Sequence, residues 1–361
     1  MKNAARKNIL KIKPYVPGKP IEEVKRDLGL KEVCKLASNE NPFSPSPKVL
    51  KAMQKALKGL NRYPDGSCYY LRKEIAKNLK VKETQLIFGN GSDEVIFQVV
   101  RAFVNEGEEI VIAHPTFLMY GIVGQIAGAK IKTIPLKNFR YDLVAMKKAV
   151  SKKTKVIFIA NPDNPMGTYV TKKELDVFLK GLRKDILVFL DEAYYEFAPK
   201  KDYPNSFSLL KKYKNIIVTR TFSKMYGLAG LRIGYGVSSE EVIDILNRVR
   251  EPFNINSVAQ AAAVAALKDQ AYYQKAIRLC EKEKQYLYEE FKKFGLSFVK
   301  SATNFVVIDV KKDSQKVFQK LLRKGIIVRN MNAWGLKNYI RVTVGKPQEN
   351  RKFIRSLKEI L

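Results

Sequence analysis

Histidine and cysteine are nearly missing from this chain, which has one of the former and three of the latter in 361 residues. A lone histidine, His114, leaves nothing to share a histidine-based zinc site and would have to serve any serine-type triad by itself. It follows an apolar run in Ile112-Ala-His114-Pro115 and is expected to pack or bond locally. Cys34, Cys68 and Cys280 are odd in number and far apart, which excludes a disulfide framework or a paired-cysteine metal knuckle. No metal is expected. The chain also lacks any apolar run of about 18 residues, so no membrane span is expected. Its basic start leads into Ile9-Leu-Lys-Ile-Lys13 rather than an apolar signal core, and the expectation is a cytoplasmic protein.

Acidic residues are scarce too: 35 against 67 lysines and arginines, for a net charge of +32. Such an excess suggests a polyanionic partner. The basic residues, however, fall in pairs and short groups such as Lys147-Lys148 and Lys211-Lys212, spread over the whole chain with no tail or stripe. They read as a lysine-rich surface. Weak binding to nucleic acid at low salt is expected, and no specific nucleic-acid function. With 46% apolar and 28% charged residues, the composition is that of a globular enzyme rather than a disordered or coiled-coil chain.

What is present is an alternation. Between Leu86 and about Gly236, short β-rich apolar runs (Gln85–Phe88, Glu109–Ala113, Ile131–Pro135, Val156–Ala160, Leu187–Leu190, Ile216–Thr219, Ile233–Val237) alternate with amphipathic segments such as Glu94–Phe103 and Lys172–Leu182. Continuous apolarity predicts strands buried on both faces, hence an α/β fold with a mostly parallel central sheet flanked by helices. Ligands of such sheets sit beyond the strand ends. The chain ends read differently. Pro14-Tyr-Val-Pro-Gly-Lys-Pro20 is arm-like, a long helical region runs through Gln260–Phe294, and strand–helix alternation returns from Asn304. The expected division is an arm and part of a small domain over 1–44, a large domain over 45–265, and the rest of a smaller α/β domain over 266–361.

Three motifs carry chemistry. Thr219-Arg-Thr-Phe-Ser-Lys-Met-Tyr-Gly-Leu-Ala-Gly-Leu-Arg-Ile-Gly-Tyr235 puts Lys224 between an apolar strand and a glycine-rich turn. A lysine amine there can form a Schiff base with an aldehyde, while Arg232, Thr221 and Ser223 can hold a phosphate beside it. Asp191, at the end of the strand in Val188-Phe-Leu-Asp-Glu-Ala-Tyr194, can keep a pyridine nitrogen protonated. A helix N-cap or a metal-binding aspartate is the alternative, although the phosphate loop that an NTPase needs is missing. Asn161-Pro-Asp-Asn-Pro-Met-Gly167 fixes a loop that can aim Asn164 into the crevice. In addition, Gly89-Asn-Gly-Ser-Asp-Glu94 opens a helix whose free amides at Gly91, Ser92 and Asp93 can cradle a phosphate. Ser92 or Asp93 can equally be a plain N-cap.

Together these motifs resemble the fold-type I pyridoxal-phosphate aminotransferases, and within them the histidinol-phosphate branch. The resemblance runs from Pro14-Tyr-Val-Pro-Gly-Lys19 through Ser38-Asn-Glu-Asn-Pro42 and Asn61-Arg-Tyr-Pro-Asp65 to Ile340-Arg-Val-Thr-Val-Gly345. It implies that pyridoxal 5'-phosphate is the cofactor, with Lys224 as its covalent anchor and proton shuttle and Asp191 as the partner of its ring nitrogen. Asn164 and Tyr194 would bond its phenolic oxygen, and Phe117 would stack on its ring. Arg232, Thr221, Ser223, Ser92, Gly91 and Asp93 would hold its phosphate. Tyr63 resembles a tyrosine that reaches that phosphate from a second subunit, which implies a homodimer with shared sites. Arg341 resembles the arginine that clamps an α-carboxylate, while Arg329 and Tyr15 fit positions that grip a substrate phosphate. The implied reaction moves an amino group from L-glutamate to imidazole acetol phosphate, a step of histidine biosynthesis. Transamination of aromatic amino acids and decarboxylation of threonine phosphate stay open as alternatives. Ser44 departs from the pattern, standing where the branch usually has glycine.

Overall fold

The computed structural model describes residues 2–361. Its strands are β1 (Cys34–Lys35), β2 (Leu86–Gly89), β3 (Glu109–His114), β4 (Lys130–Pro135), β5 (Thr154–Ala160), β6 (Leu187–Asp191) and β7 (Ile216–Thr221), followed by β8 (Gly234–Val237), β9 (Phe298–Val299), β10 (Phe305–Asp309), β11 (Ile326–Ile327), β12 (Arg329–Asn330) and β13 (Tyr339–Thr343). The seven predicted strands all enter one sheet, in the order β2-β8-β7-β6-β5-β3-β4. β8 runs antiparallel to both neighbours and every other pairing is parallel. Six strands therefore share one direction, and their carboxyl ends line a single edge. The architecture is α/β with a mostly parallel central sheet, as expected.

The position of each strand follows from its sequence. Every residue of β6 and β7 is buried, as Leu187-Val-Phe-Leu-Asp191 and Ile216-Ile-Val-Thr-Arg-Thr221 foretell by their unbroken apolar starts. β4, Lys130-Ile-Lys-Thr-Ile-Pro135, alternates and lies at the sheet edge, with Lys130, Thr133 and Pro135 exposed. Each fully buried Val, Leu, Ile or Phe contributes roughly 1.5–3 kcal/mol, so the central strands form a stiff support for whatever their ends carry. The chain ends build a second core. There the four-stranded sheet β12-β13-β10-β9 packs with Leu287, Phe291, Phe353 and Leu357, and β1 joins by pairing with β11. The predicted long helical region is two helices, Ser257–Leu267 and Gln270–Lys293. The break falls at Asp269, whose backbone leaves the helical region and whose carboxylate pairs with Lys48 at 3.1 Å. The second helix buries Tyr273 in the first core and Leu287 and Phe291 in the second. No helix among the described residues is long and apolar enough to cross a membrane.

Candidate active site

The carboxyl ends of β5, β6 and β7 open onto a cavity of about 460 Å³, a size that suits a small organic ligand. Asp191, the last residue of β6, lies in its wall. Its Oδ2 accepts the Tyr120 hydroxyl at 2.7 Å and its Oδ1 the backbone N–H of Ala193 at 3.1 Å. Burial pushes its carboxyl up to about 6 against the pull of the Tyr120 bond. No lysine or arginine pairs with it among the described residues. A buried carboxylate that stays charged at neutral pH calls for a cation facing it from the cavity.

Lys224 follows β7 and reaches the same cavity, with its Nζ 3.4 Å from the Ser38 carbonyl and 5.6 Å from the centre of the Tyr194 ring. It has no acidic partner among the described residues. Tyr194 is buried and its hydroxyl accepts from Asn39 Nδ2 at 2.9 Å, which leaves its own proton free to donate into the cavity. Asn164 lines the wall opposite, its Oδ1 taken by Arg341 Nη1 and its amide N–H₂ free. Phe117 sits at the start of the helix Leu118–Ala127, edge-on to Tyr120 at 5.6 Å.

At one end of the cavity, Gly91 adopts φ +73 and the helix Ser92–Phe103 begins. The backbone angle demands glycine here, and a Cβ would in addition meet Arg232 Nη2 at 2.6 Å and push the guanidinium aside. Neither Ser92 nor Asp93 caps this helix: Gly91 is the N-cap and no side chain satisfies the first amides. Arg232, itself left-handed at φ +53, lies 3.5 Å from Ser223 Oγ and 3.3 Å from Asp93 Oδ2. Thr221, Ser223 and Ser92 complete this corner, which offers a guanidinium, hydroxyls and free amides to one anion.

A second polar cluster stands just behind the cavity wall: neither Arg329 nor Arg341 lines the cavity, but Arg341 bonds the lining residue Asn164 and Arg329 lies against the lining residue Tyr15. In the β12–β13 pairing, Arg329 and Arg341 lie directly opposite each other. Like charges so placed repel. Among the described residues neither has an acidic partner, and the Nε of buried Arg341 has no hydrogen-bond partner. Arg341 Nη2 reaches the Ala37 carbonyl at 3.0 Å, and burial, with Arg329 adding to it, holds its guanidinium below the usual range. Arg329 bonds the Val16 carbonyl at 3.0 Å and stacks 6.0 Å from Tyr15, a half-exposed residue of the cavity mouth. Such a pair can hold a second anion.

Two predicted residues fall elsewhere. Tyr63 does not line this cavity; it is 83% exposed and stacks on Phe253 at 4.9 Å. His114 neither packs nor bonds through its ring. It is the exposed last residue of β3, just past the edge of the core that covers the five residues before it.

The sequence profile of the family described as "Aminotransferase class I and II" matches residues 31–357. The chain belongs to this family. Among relatives of this aminotransferase, the histidinol-phosphate aminotransferase of Moorella thermoacetica is 50% identical over 99% of this chain and 92% of its own. That of Caldicellulosiruptor saccharolyticus is 49% identical over 99% of both chains. Among solved structures, histidinol-phosphate aminotransferase from Sinorhizobium meliloti in complex with pyridoxal-5'-phosphate superposes with a TM-score of 0.90, at 28% identity over 99% of each chain. Aspartate aminotransferase of Thermus thermophilus, 20% identical with a TM-score of 0.87, shares the fold.

Two buried residues of this aminotransferase were not among the expected site residues. Tyr120, fully buried and stacked on Phe158 at 4.7 Å, holds Asp191. Its one signal was its place three residues after Phe117, on the same helical face. Asn39, left-handed at φ +54, joins Tyr194 to the second lobe through Thr343, whose Oγ1 accepts the Asn39 N–H at 2.9 Å.

Proposed function

We propose that this aminotransferase transfers the amino group of L-glutamate to imidazole acetol phosphate, giving L-histidinol phosphate and 2-oxoglutarate with pyridoxal 5'-phosphate as cofactor. The observation that carries the reading is the in-register pair Arg329 and Arg341, two guanidinium groups that have no acidic partner among the described residues, beside a cavity that also holds Lys224 and a buried carboxylate. The histidinol-phosphate aminotransferases that resemble the chain over nearly its whole length support it.

The residues present fit the cofactor. Asp191 lacks a cation and would hold the protonated ring nitrogen; the Gly91–Ser92 amides, Asp93 N–H, Thr221, Ser223 and Arg232 would hold the phosphate; Phe117 would cover one ring face. Bound there, pyridoxal phosphate supplies an aldehyde that condenses with amines and a ring that stores the electron pair left when the Cα proton departs. Asn164 and Tyr194 each keep an N–H or O–H free to donate toward its phenolic oxygen. Lys224 takes the Cα proton of the amino donor and returns a proton on the other side of the transfer, a task for which its freedom from any acidic partner leaves the amine available. Arg341 fixes the α-carboxylate through a two-pronged contact, and Arg329 with Tyr15 receives the second anion, a carboxylate or a phosphate ester. One pocket thus takes the two substrates in turn.

The active unit is a homodimer in this reading. Leu57, Leu60, Tyr63, Tyr70 and Phe253 leave large apolar side chains on the surface, which supports a covered face. Tyr63 then reaches the cofactor phosphate of the partner. Rate measurements with imidazole acetol phosphate, phenylpyruvate and threonine phosphate separate the substrates. A preference for phenylpyruvate, or release of carbon dioxide from threonine phosphate, would replace the substrate and leave the cofactor chemistry standing.

A further inference from the structure

The chain contains a single tryptophan, and it stands between the two arginines. Trp334 ends a short turn, Asn332–Trp334, in the connection from β12 to β13, and Gly335 at φ +77 turns the chain back. Its ring centre lies 5.5 Å from the Arg329 guanidinium carbon and 5.8 Å from that of Arg341. Both distances lie within the range where a ring face attracts a cation. The indole is 4% exposed, and its Nε1–H donates to the Thr116 carbonyl at 2.8 Å. Thr116 belongs to the segment that follows β3 of the large sheet, one residue before Phe117. The indole packs in a small cluster with Met166, Tyr194, Phe305, Val307 and Met331 that joins the two lobes.

We propose that Trp334 is a positioning residue for both substrate anions: it spaces Arg329 and Arg341 and ties the pair to the Phe117 side of the cavity. Three observations support this. The two cations face each other across the strand pair and repel with no acid between them among the described residues, and the groups that hold them, the Val16 carbonyl for one and the Ala37 carbonyl and Asn164 for the other, are separate and do not set their spacing. Arg341 has a further ring beneath it, Phe305 at 5.0 Å, and Arg329 has Tyr15, but only Trp334 touches both. The hydrogen bond to Thr116 fixes the indole in one orientation, which a purely apolar filler would not require. An anion entering the pocket then meets two guanidinium groups already set apart.

The inference rests on the proposed substrate reading, and its test separates the two. Half-reactions of the holoenzyme with L-glutamate and L-histidinol phosphate are measured in Trp334→Leu, Trp334→Phe and Arg341→Lys, together with thermal midpoints. Trp334→Leu is expected to raise the half-saturating concentration of both donors at least tenfold, with the limiting rate within threefold. Trp334→Phe, which keeps a ring face and loses the hydrogen bond, should raise it only two- to fivefold. Half-saturation unchanged in Trp334→Leu, or a fall in limiting rate and thermal midpoint without it, overturns the positioning role. If Trp334→Leu does not fold, Trp334→Phe decides alone, an unchanged half-saturation overturning the role. Arg341→Lys marks the other failure: if it too leaves half-saturation unmoved, the substrate reading falls; if it raises it while Trp334→Leu does not, only the role of Trp334 falls.

Discussion

Replacing Tyr120 by phenylalanine removes one oxygen from a fully buried site and leaves the ring stacked on Phe158. The lost bond is the 2.7 Å donation to Asp191. Hydrogen bonds to a charged group contribute about 1.5–3 kcal/mol, and one pH unit corresponds to about 1.4 kcal/mol, so the Asp191 carboxyl should rise by a further one to two pH units, roughly. Burial already holds it at about 6, above its ordinary 3.8. A folded-state value raised in an acid means that the cofactor-free protein loses stability as pH climbs through that interval, because the folded state keeps its proton longer. The variant extends the interval upward. Its deficit against the wild type should therefore be small at about pH 4 and reach about 1.5–3 kcal/mol by about pH 9. Urea unfolding of the cofactor-free protein at both pH values measures this. The acid limb of pyridoxal phosphate affinity should move up by the same one to two units, roughly, because the ring nitrogen needs an ionised partner. An acid limb that stays in place, with the same deficit at both pH values, would refute the assigned role of the Tyr120 hydroxyl.

Three other outcomes are expected. Lys224→Ala should abolish multiple turnover, by at least about 10⁴-fold, while the thermal midpoint hardly moves, since the side chain makes only one long bond, to Ser38; full turnover would exclude Lys224 as the base. Asp163 is buried and burial pushes its carboxyl up to about 7 despite bonds from Met166 N–H and Thr116. Its cost to stability is absent below about 4 and grows as pH rises through about 7, so Asp163→Asn should gain on the wild type between about pH 5 and about pH 8 in urea unfolding, and a parallel pair of pH profiles would contradict this. If Tyr63 serves the site of a second subunit as proposed, Tyr63→Ala should weaken pyridoxal phosphate binding about 10- to 100-fold although the residue lies outside its own chain's cavity; unchanged affinity would overturn that proposal.

The sequence made legible what is local. Unbroken apolar runs marked β5, β6 and β7, and the polar residue closing each run marked the edge where chemistry sits, so Asp191 and Lys224 stood out before any contact was known. The glycine of Gly89-Asn-Gly91 announced an anion cradle. What stayed hidden depends on contacts between distant residues. Tyr120 reads as ordinary core, since its partner Asp191 lies 71 positions away. Asn39 meets Thr343 across 304 positions. Arg329 and Arg341 were each legible through the family resemblance, as residues of strands, but their direct opposition depends on the register of β12 on β13. Trp334 carried no signal at all, because a tryptophan in a glycine-bearing connection reads as packing. The break at Asp269 was missed because Ala261–Leu267 and the charged run after Gln270 both favour helix on either side.

The substrate is the central claim, and the spectrum of the bound cofactor tests it most directly. Pyridoxal and pyridoxamine forms absorb differently, so mixing the holoenzyme with L-histidinol phosphate in the absence of any oxo acid reads a single amino transfer. The arginine pair predicts rapid, complete conversion at concentrations well below those needed with L-phenylalanine, and its reversal by 2-oxoglutarate. A cofactor band that L-histidinol phosphate leaves unmoved while L-phenylalanine converts it would contradict the assignment.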